Sequence, residues 1–146
     1  ERTGALTIVS PTAEESGVAM SHVKATIRVN YSNPPSHGGL AAKEVLNDAV
    51  LYEQWIGEVA EMRGRIKAMR AALVDGLTKR GVEQDFSFIT EQRGMFSFSG
   101  LSDDAVAWLR DNKSIYIVKG GRINVAGLTS ANIDYVCDSI AEALKS

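Results

Sequence analysis

The spacing of apolar positions splits the chain into stretches of different character. Over residues 48–79, Tyr52, Trp55, Ile56, Val59, Met62, Ile66, Met69, Leu73 and Leu77 recur at intervals of three and four. That spacing lays them along one face of a helix, and Gly81 supplies the stop. A helix of about 32 residues spans roughly 48 Å, more than the diameter of a small domain, so it is expected to connect two domains or join an assembly. Upstream, Gly4-Ala5-Leu6-Thr7-Ile8-Val9 is a short apolar run with β-branched residues and predicts a buried strand. One strand is not stable alone, so it is expected to pair with strands that these residues do not supply. Ser10 as cap, Pro11 at the first helical position and the acids Glu14 and Glu15 predict a helix over residues 11–29. Residues 31–39 carry two consecutive prolines and are expected to be irregular, with a short helix over residues 40–46.

Beyond Gly81 the period shortens. Residues 85–90 and 94–99 alternate, with Phe86, Phe88, Phe96 and Phe98 at every second position, and predict two strands. Ser102, with Asp103 and Asp104 behind it and Leu101 placed to staple onto Val106, opens a helix that ends near Lys113. Residues 114–118 and 122–125 predict strands around the turn signal Lys119-Gly120-Gly121. Thr129 or Ser130 is expected to cap a last helix with Ile133, Val136, Ile140 and Leu144 on one face. The fold class is therefore α/β, ending in a small α+β unit.

Composition adds exclusions. The 146 residues suffice for a real core, and a net charge of −2 points to no nucleic-acid or membrane partner. No apolar run approaches the roughly 18 residues that suggest a spanning helix. A single cysteine, Cys137, excludes an intrachain disulfide and is expected in the core. His22 and His37 have no ligand at metal-binding spacing, so no metal site is expected. The first residue is Glu1 and not methionine, so a longer parent chain is expected.

Three arginines border irregular or glycine-bearing segments: Arg2 before Gly4, Arg28 before the proline loop, and Arg122 after Gly120 and Gly121. A guanidinium suits planar, bidentate capture of carboxylate or phosphate. The alternative is an ordinary surface arginine lying over apolar neighbours. In a strand, Arg122, Asn124 and Ala126 share one face.

Four strings stand in order along the chain: Glu1-Arg2-Thr3-Gly4-Ala5-Leu6, Ile27-Arg28-Val29-Asn30-Tyr31-Ser32-Asn33-Pro34-Pro35, Gly94-Met95-Phe96-Ser97-Phe98-Ser99-Gly100-Leu101, and Gly121-Arg122-Ile123-Asn124-Val125-Ala126-Gly127. Together they resemble the aspartate and aromatic aminotransferase group of the class I pyridoxal-phosphate-dependent aminotransferases, in its C-terminal part. The resemblance implies a portion of a fold-type-I enzyme. Residues 1–47 would be a remnant of the large cofactor-binding domain, 48–80 the connecting helix and 81–146 the small domain. It implies a homodimer, pyridoxal 5′-phosphate as cofactor, dicarboxylic amino acid and 2-oxo acid substrates, and a cytoplasmic location, with the mitochondrial matrix as the alternative.

By the same resemblance, Arg2 binds the cofactor phosphate and Ser32 lies near the cofactor phosphate of the partner subunit, Arg122 pairs with the substrate α-carboxylate, Arg28 reaches across the dimer to the distal carboxylate, and Phe96 lines the pocket. No catalytic residue is expected here. In the family the Schiff-base lysine lies shortly before the Glu-Arg-x-Gly string, and Lys24, Lys43, Lys67, Lys79, Lys113, Lys119 and Lys145 do not occupy that context. The chain alone is thus expected to be inactive. The alternative is a non-catalytic module for folding or dimerisation. Preference between aspartate and aromatic amino acids stays open.

Overall fold

The structure, a computed structural model, describes residues 2–146 and divides into two compact units, Glu1–Gly57 and Glu58–Ser146. Glu1, the first residue of the Glu-Arg-x-Gly string, lies outside the described residues.

The first unit is helical. Thr12, not Ser10, caps α1 (Ala13–Asn30): its Oγ1 accepts the Glu15 amide at 3.2 Å. The helix ends where Ser32 turns into the left-handed region, φ 69°, with its amide donating to the Ile27 carbonyl at 3.1 Å. The irregular segment is shorter than the prolines suggest, because α2 (Ser36–Asn47) starts directly after Pro35. Prolines restrict themselves and the residue before them, and the backbone after Pro35 is unrestricted. Thus Ser36, His37, Gly38 and Gly39 are helical. Asp48 then caps the next helix, its Oδ1 accepting the amides of Val50 and Leu51, each at 2.9 Å. That helix, α3 (Ala49–Lys79), is the long one anticipated from its three-and-four period.

The expected strand at residues 4–9 is a correction. No regular structure forms there, and Leu6 and Val9 are 73% and 91% exposed. A strand exists through its ladder partner, and none of the described residues provides one. Elsewhere in this unit Val29, Leu40 and Val50 are exposed, and no residue of α1 is buried.

The second unit holds the core. Leu73 and Leu77 of α3 pack with Phe86, Ile89, Leu101, Val106, Leu109, Val125, Cys137 and Ile140. Residues 85–90 are not a strand. Asp85 Oδ1 accepts the Ser87 amide at 2.8 Å and Oδ2 the Ser87 hydroxyl at 2.9 Å, which turns the chain into the single helical turn α4 (Phe88–Glu91). Phe86 and Ile89, three apart, then both face inward. Strand β1 (Phe96–Phe98) follows. Ser102 Oγ caps α5 (Asp103–Lys113) as expected, accepting the Ala105 amide at 3.1 Å.

Strand β2 (Arg122–Asn124) pairs antiparallel with β1, and a one-turn 3₁₀ helix (Val125–Gly127) follows it. Residues 114–118 form no strand, only an isolated bridge between Val118 and Arg122. Ser114 ends α5 in the left-handed region, φ 53°, and Ile115 and Ile117 pack against the core. The last helix, α6 (Ile133–Ala143), begins later than its expected cap. The Thr129 carbonyl accepts the amides of Asn132 and Ile133, while Asn132 Oδ1 returns to the Thr129 amide at 2.7 Å. Among the described residues no helix is long and apolar enough to cross a membrane.

Helices α3 and α6 approach closely at Gly76, where an added Cβ would stand 2.6 Å from Cys137 Sγ. Gly76→Ala is expected to cost about 1–3 kcal/mol, read as a lowered denaturation midpoint. Adding Cys137→Ala should recover much of that loss. A double variant as weak as Gly76→Ala would place the strain elsewhere.

Candidate functional site

The two-stranded sheet has an inner and an outer face. Phe96 pairs with Asn124, Ser97 with Ile123, and Phe98 with Arg122. Side chains alternate across a strand, so Phe96, Phe98, Arg122 and Asn124 stand on the exposed face while Ser97 points into the core. The Arg122 guanidinium carbon lies 5.2 Å from the centre of the Phe96 ring, diagonally across the pair. The structure thus brings together Arg122 and Phe96. A guanidinium over an exposed ring gains about 0.5–1 kcal/mol. Arg122, Phe96 and Asn124 border a cavity of about 340 Å³ with Tyr116, Ile117 and Val118. Among the described residues no carboxylate forms an ion pair with Arg122. Ala126 does not share this face, because β2 stops at Asn124, whose side chain accepts the Ala126 amide and starts the 3₁₀ turn.

The first unit holds the other candidates. Arg28, in the last turn of α1, donates from Nη1 to Ser32 Oγ at 2.6 Å. The Ser32 hydroxyl accepts in that bond, so its own proton is available to an acceptor such as phosphate. Arg2 is exposed in the irregular segment before α1.

What holds the outer face in place comes from α3. Arg70 is only 3% exposed. Its Nη1 donates to the Ile89 carbonyl at 3.0 Å and to Ser97 Oγ, and its Nη2 to the carbonyls of Gly94 at 2.8 Å and Phe96 at 3.2 Å. Burial, then the neighbouring charge of Arg93, lowers its pKa from the ordinary arginine value. One turn earlier, Arg65 donates to the carbonyls of Leu128 and Ala126 at 2.9 and 2.8 Å, anchoring the turn that follows β2. Gln92 closes the free edge of β1: its amide accepts the Phe98 N–H and donates to the Phe98 carbonyl, both at 3.0 Å. None of these three was anticipated. The signal for Arg70 was its place at a three-and-four position of the apolar stripe, between Ile66 and Leu73. Larger than the cavity at Arg122 is one of about 800 Å³, lined by Arg63, Lys67, Arg70 and Arg93 with Val59, Met62, Ile66 and Met95, and it contains none of the anticipated site residues.

These features belong to a class: an α/β portion in which a small strand pair presents a guanidinium and an aromatic ring outward. The chain is a member of the aminotransferase class I and II family, which matches residues 1–140, and its fold is that of part of a fold-type-I aminotransferase. It is similar to the aspartate aminotransferase of Haemophilus influenzae, 53% identical over 144 residues, covering 99% of this chain and 36% of that protein. It is also similar to the aromatic-amino-acid aminotransferase of Escherichia coli, 42% identical over 144 residues with the same two coverages. Among solved structures it resembles the psychrophilic aromatic amino acid aminotransferase of Psychrobacter sp. B6, cocrystallised with aspartic acid. The TM-score is 0.88 at 44% identity, over 94% of this chain and 35% of that one. It likewise resembles the aromatic-amino-acid aminotransferase of Burkholderia pseudomallei covalently bound to pyridoxal phosphate, with a TM-score of 0.86 at 47% identity over 93% and 34%. The chain thus spans about a third of the length of these relatives.

The turn before Arg122 distinguishes two glycines. Both have positive φ, 86° at Gly120 and 76° at Gly121. A Cβ at Gly120 meets nothing within 4 Å, whereas one at Gly121 would stand 2.8 Å from Ser99 Oγ and 3.1 Å from the Leu101 carbonyl oxygen. Gly120→Ala should therefore cost about 1 kcal/mol, the conformational penalty alone. Gly121→Ala should cost clearly more in the same denaturation measurement. Equal losses would mean that the Ser99 side chain and the Leu101 backbone yield freely.

Proposed function

We propose that this chain is the substrate-gripping portion of a pyridoxal-phosphate-dependent aminotransferase. The whole enzyme would move an amino group between aspartate, glutamate or an aromatic amino acid and a 2-oxo acid such as 2-oxoglutarate. The observation that carries this reading is Arg122, exposed beside a cavity, steadied by Phe96 and lacking a carboxylate partner among the described residues. Arg122 takes the α-carboxylate of the substrate, and Phe96 forms one wall of its pocket. Arg28 reaches across the homodimer to the distal carboxylate of the substrate held by the partner subunit. A dicarboxylate gripped at both ends has its Cα–H bond oriented for removal, and an uncharged side chain leaves Arg28 without a partner.

Two groups of the first unit suit phosphate oxygens: the Arg2 guanidinium, toward the cofactor of its own subunit, and the Ser32 hydroxyl, whose proton is free to donate while Arg28 fixes its oxygen, toward the cofactor of the partner subunit. Pyridoxal 5′-phosphate, when bound, supplies the electron sink for the carbanion. Residues 1–47 belong in this reading to the large cofactor domain, 48–80 to the connecting helix and 81–146 to the small domain. The exposed Val9, Val29, Leu40 and Val50 support burial of the first unit against other parts of a homodimer, in which Arg28 serves the partner subunit's substrate. A cytoplasmic location agrees with the relative named as cytoplasmic from Dictyostelium discoideum.

The test is kinetic, in the full-length enzyme. Arg122→Ala should lower kcat/KM for both aspartate and phenylalanine by about a hundredfold or more, the scale of a lost charge pair. Arg28→Ala should lower it for aspartate far more than for phenylalanine. An Arg28 variant that affects both substrates equally would sink the distal-carboxylate role. The chain by itself should show no transaminase activity and no saturable one-to-one absorbance with added pyridoxal phosphate; finding either would place a cofactor-bearing lysine among its own.

A further inference from the structure

We propose that Arg70 is a positioning residue for carboxylate capture: it fixes the backbone of β1, and thereby the Phe96 ring on which the Arg122 guanidinium rests. The proposal stands on the reading of Arg122 as the α-carboxylate ligand.

The argument begins with where Arg70 points. It lies on the buried side of α3, behind β1, while Phe96 and Arg122 stand on the opposite, exposed face. Its two terminal nitrogens address four acceptors, and three of them, the Gly94 and Phe96 carbonyls and Ser97 Oγ, belong to β1 or its approach. The fourth, the Ile89 carbonyl, ends the helical turn that delivers the chain to β1. The fork therefore spans the strand from Gly94 to Ser97 and joins it to α3.

The rest of the hold on this strand is backbone pairing and its edge: the Ser99 amide donates to the Gly121 carbonyl at 2.8 Å and the Val125 amide to the Met95 carbonyl at 3.0 Å, one at each end. The ladder with β2 has three residue pairs, and the outer edge is closed by the single side chain of Gln92. The Phe96 carbonyl that Arg70 grips is two bonds from the Cα that aims the ring. A shift of β1 along its own axis would move the ring from under Arg122. Binding that depends on a bidentate guanidinium is sensitive to such displacements, since both hydrogen bonds require a common plane. Every acceptor of Arg70 is neutral, so its role is geometric and not that of an ion pair. Lysine keeps the charge but presents its donors from one point and loses the planar fork.

Arg70→Lys in the full-length aminotransferase separates geometry from charge. It should raise KM for aspartate about tenfold while kcat changes less than about threefold, the pattern of weakened ground-state binding. Affinity for pyridoxal phosphate should stay within about twofold, a quantity that general loosening of the fold would not spare. The decisive measurement combines it with Arg122→Lys. If Arg70 acts through Arg122, adding Arg70→Lys to Arg122→Lys should raise KM by no more than about a further twofold. Ser97→Ala, which removes one acceptor, serves if Arg70→Lys fails to fold; it should raise KM about threefold with the same loss of additivity. An Arg122→Lys enzyme with normal KM overturns the reading of Arg122 and the proposal with it. A raised KM in Arg122→Lys, with Arg70→Lys either silent or fully multiplicative, overturns the proposal alone.

Discussion

A buried guanidinium that forms no ion pair with a carboxylate among the described residues is the constraint around which the second unit is arranged. Removing such a charge from water is costly unless every donor finds an acceptor. Arg70 places its four terminal N–H donors on three backbone carbonyls and a serine hydroxyl. Hydrogen bonds to charged groups contribute about 1.5–3 kcal/mol each, and their loss leaves a stranded cation. The end of α4, the approach to β1 and β1 itself must therefore stay where their carbonyls converge. Arg65 applies the same device to the turn after β2, so both strands answer to one helix.

The two units solve the burial problem differently. The second closes a core around Leu73, Leu77, Ile89, Leu109, Val125 and Cys137. The first relies on local chemistry: a threonine cap, an aspartate cap, a left-handed serine and two prolines define its helices. Such devices set where helices begin and end, but most helical stability comes from packing an apolar face. The apolar residues left exposed on this unit are a demand that its own residues do not meet.

How much of this was readable in advance varied with length. The long helix α3 is plain, because nine apolar residues keep one period over about seven turns and no competing pattern fits. The cap at Ser102 was equally plain. Strands of three residues carry too few alternations to be told from turns, and the alternating phenylalanines were read as one kind of element twice. Phe96 and Phe98 do alternate in a strand. Phe86 and Phe88 flank an Asx turn whose cause, the Asp85 side chain, is visible in the sequence only to a reader who asks what its oxygens accept. Residues 4–9 have the composition of a strand without its partner, and composition alone does not make a ladder. Arg122 and Phe96 were singled out separately, and their contact depends on a register that no local spacing specifies. Arg70 shows in the sequence only as a charge at a three-and-four position of the apolar stripe, and nothing local marks the carbonyls it meets.

The tight meeting of Gly76 and Cys137 bears on the chemistry of the chain's single thiol. Its sulfur is fully buried, burial pushes its pKa up, and its thiol donates to the Leu73 carbonyl at 3.8 Å. A protonated, enclosed thiol is inert toward alkylating and oxidising reagents. Reagent reaches it only when α6 lifts from α3, so the rate of its modification measures how often that happens. The chain carries, at the centre of its core, its own gauge of the local opening by which it would come apart.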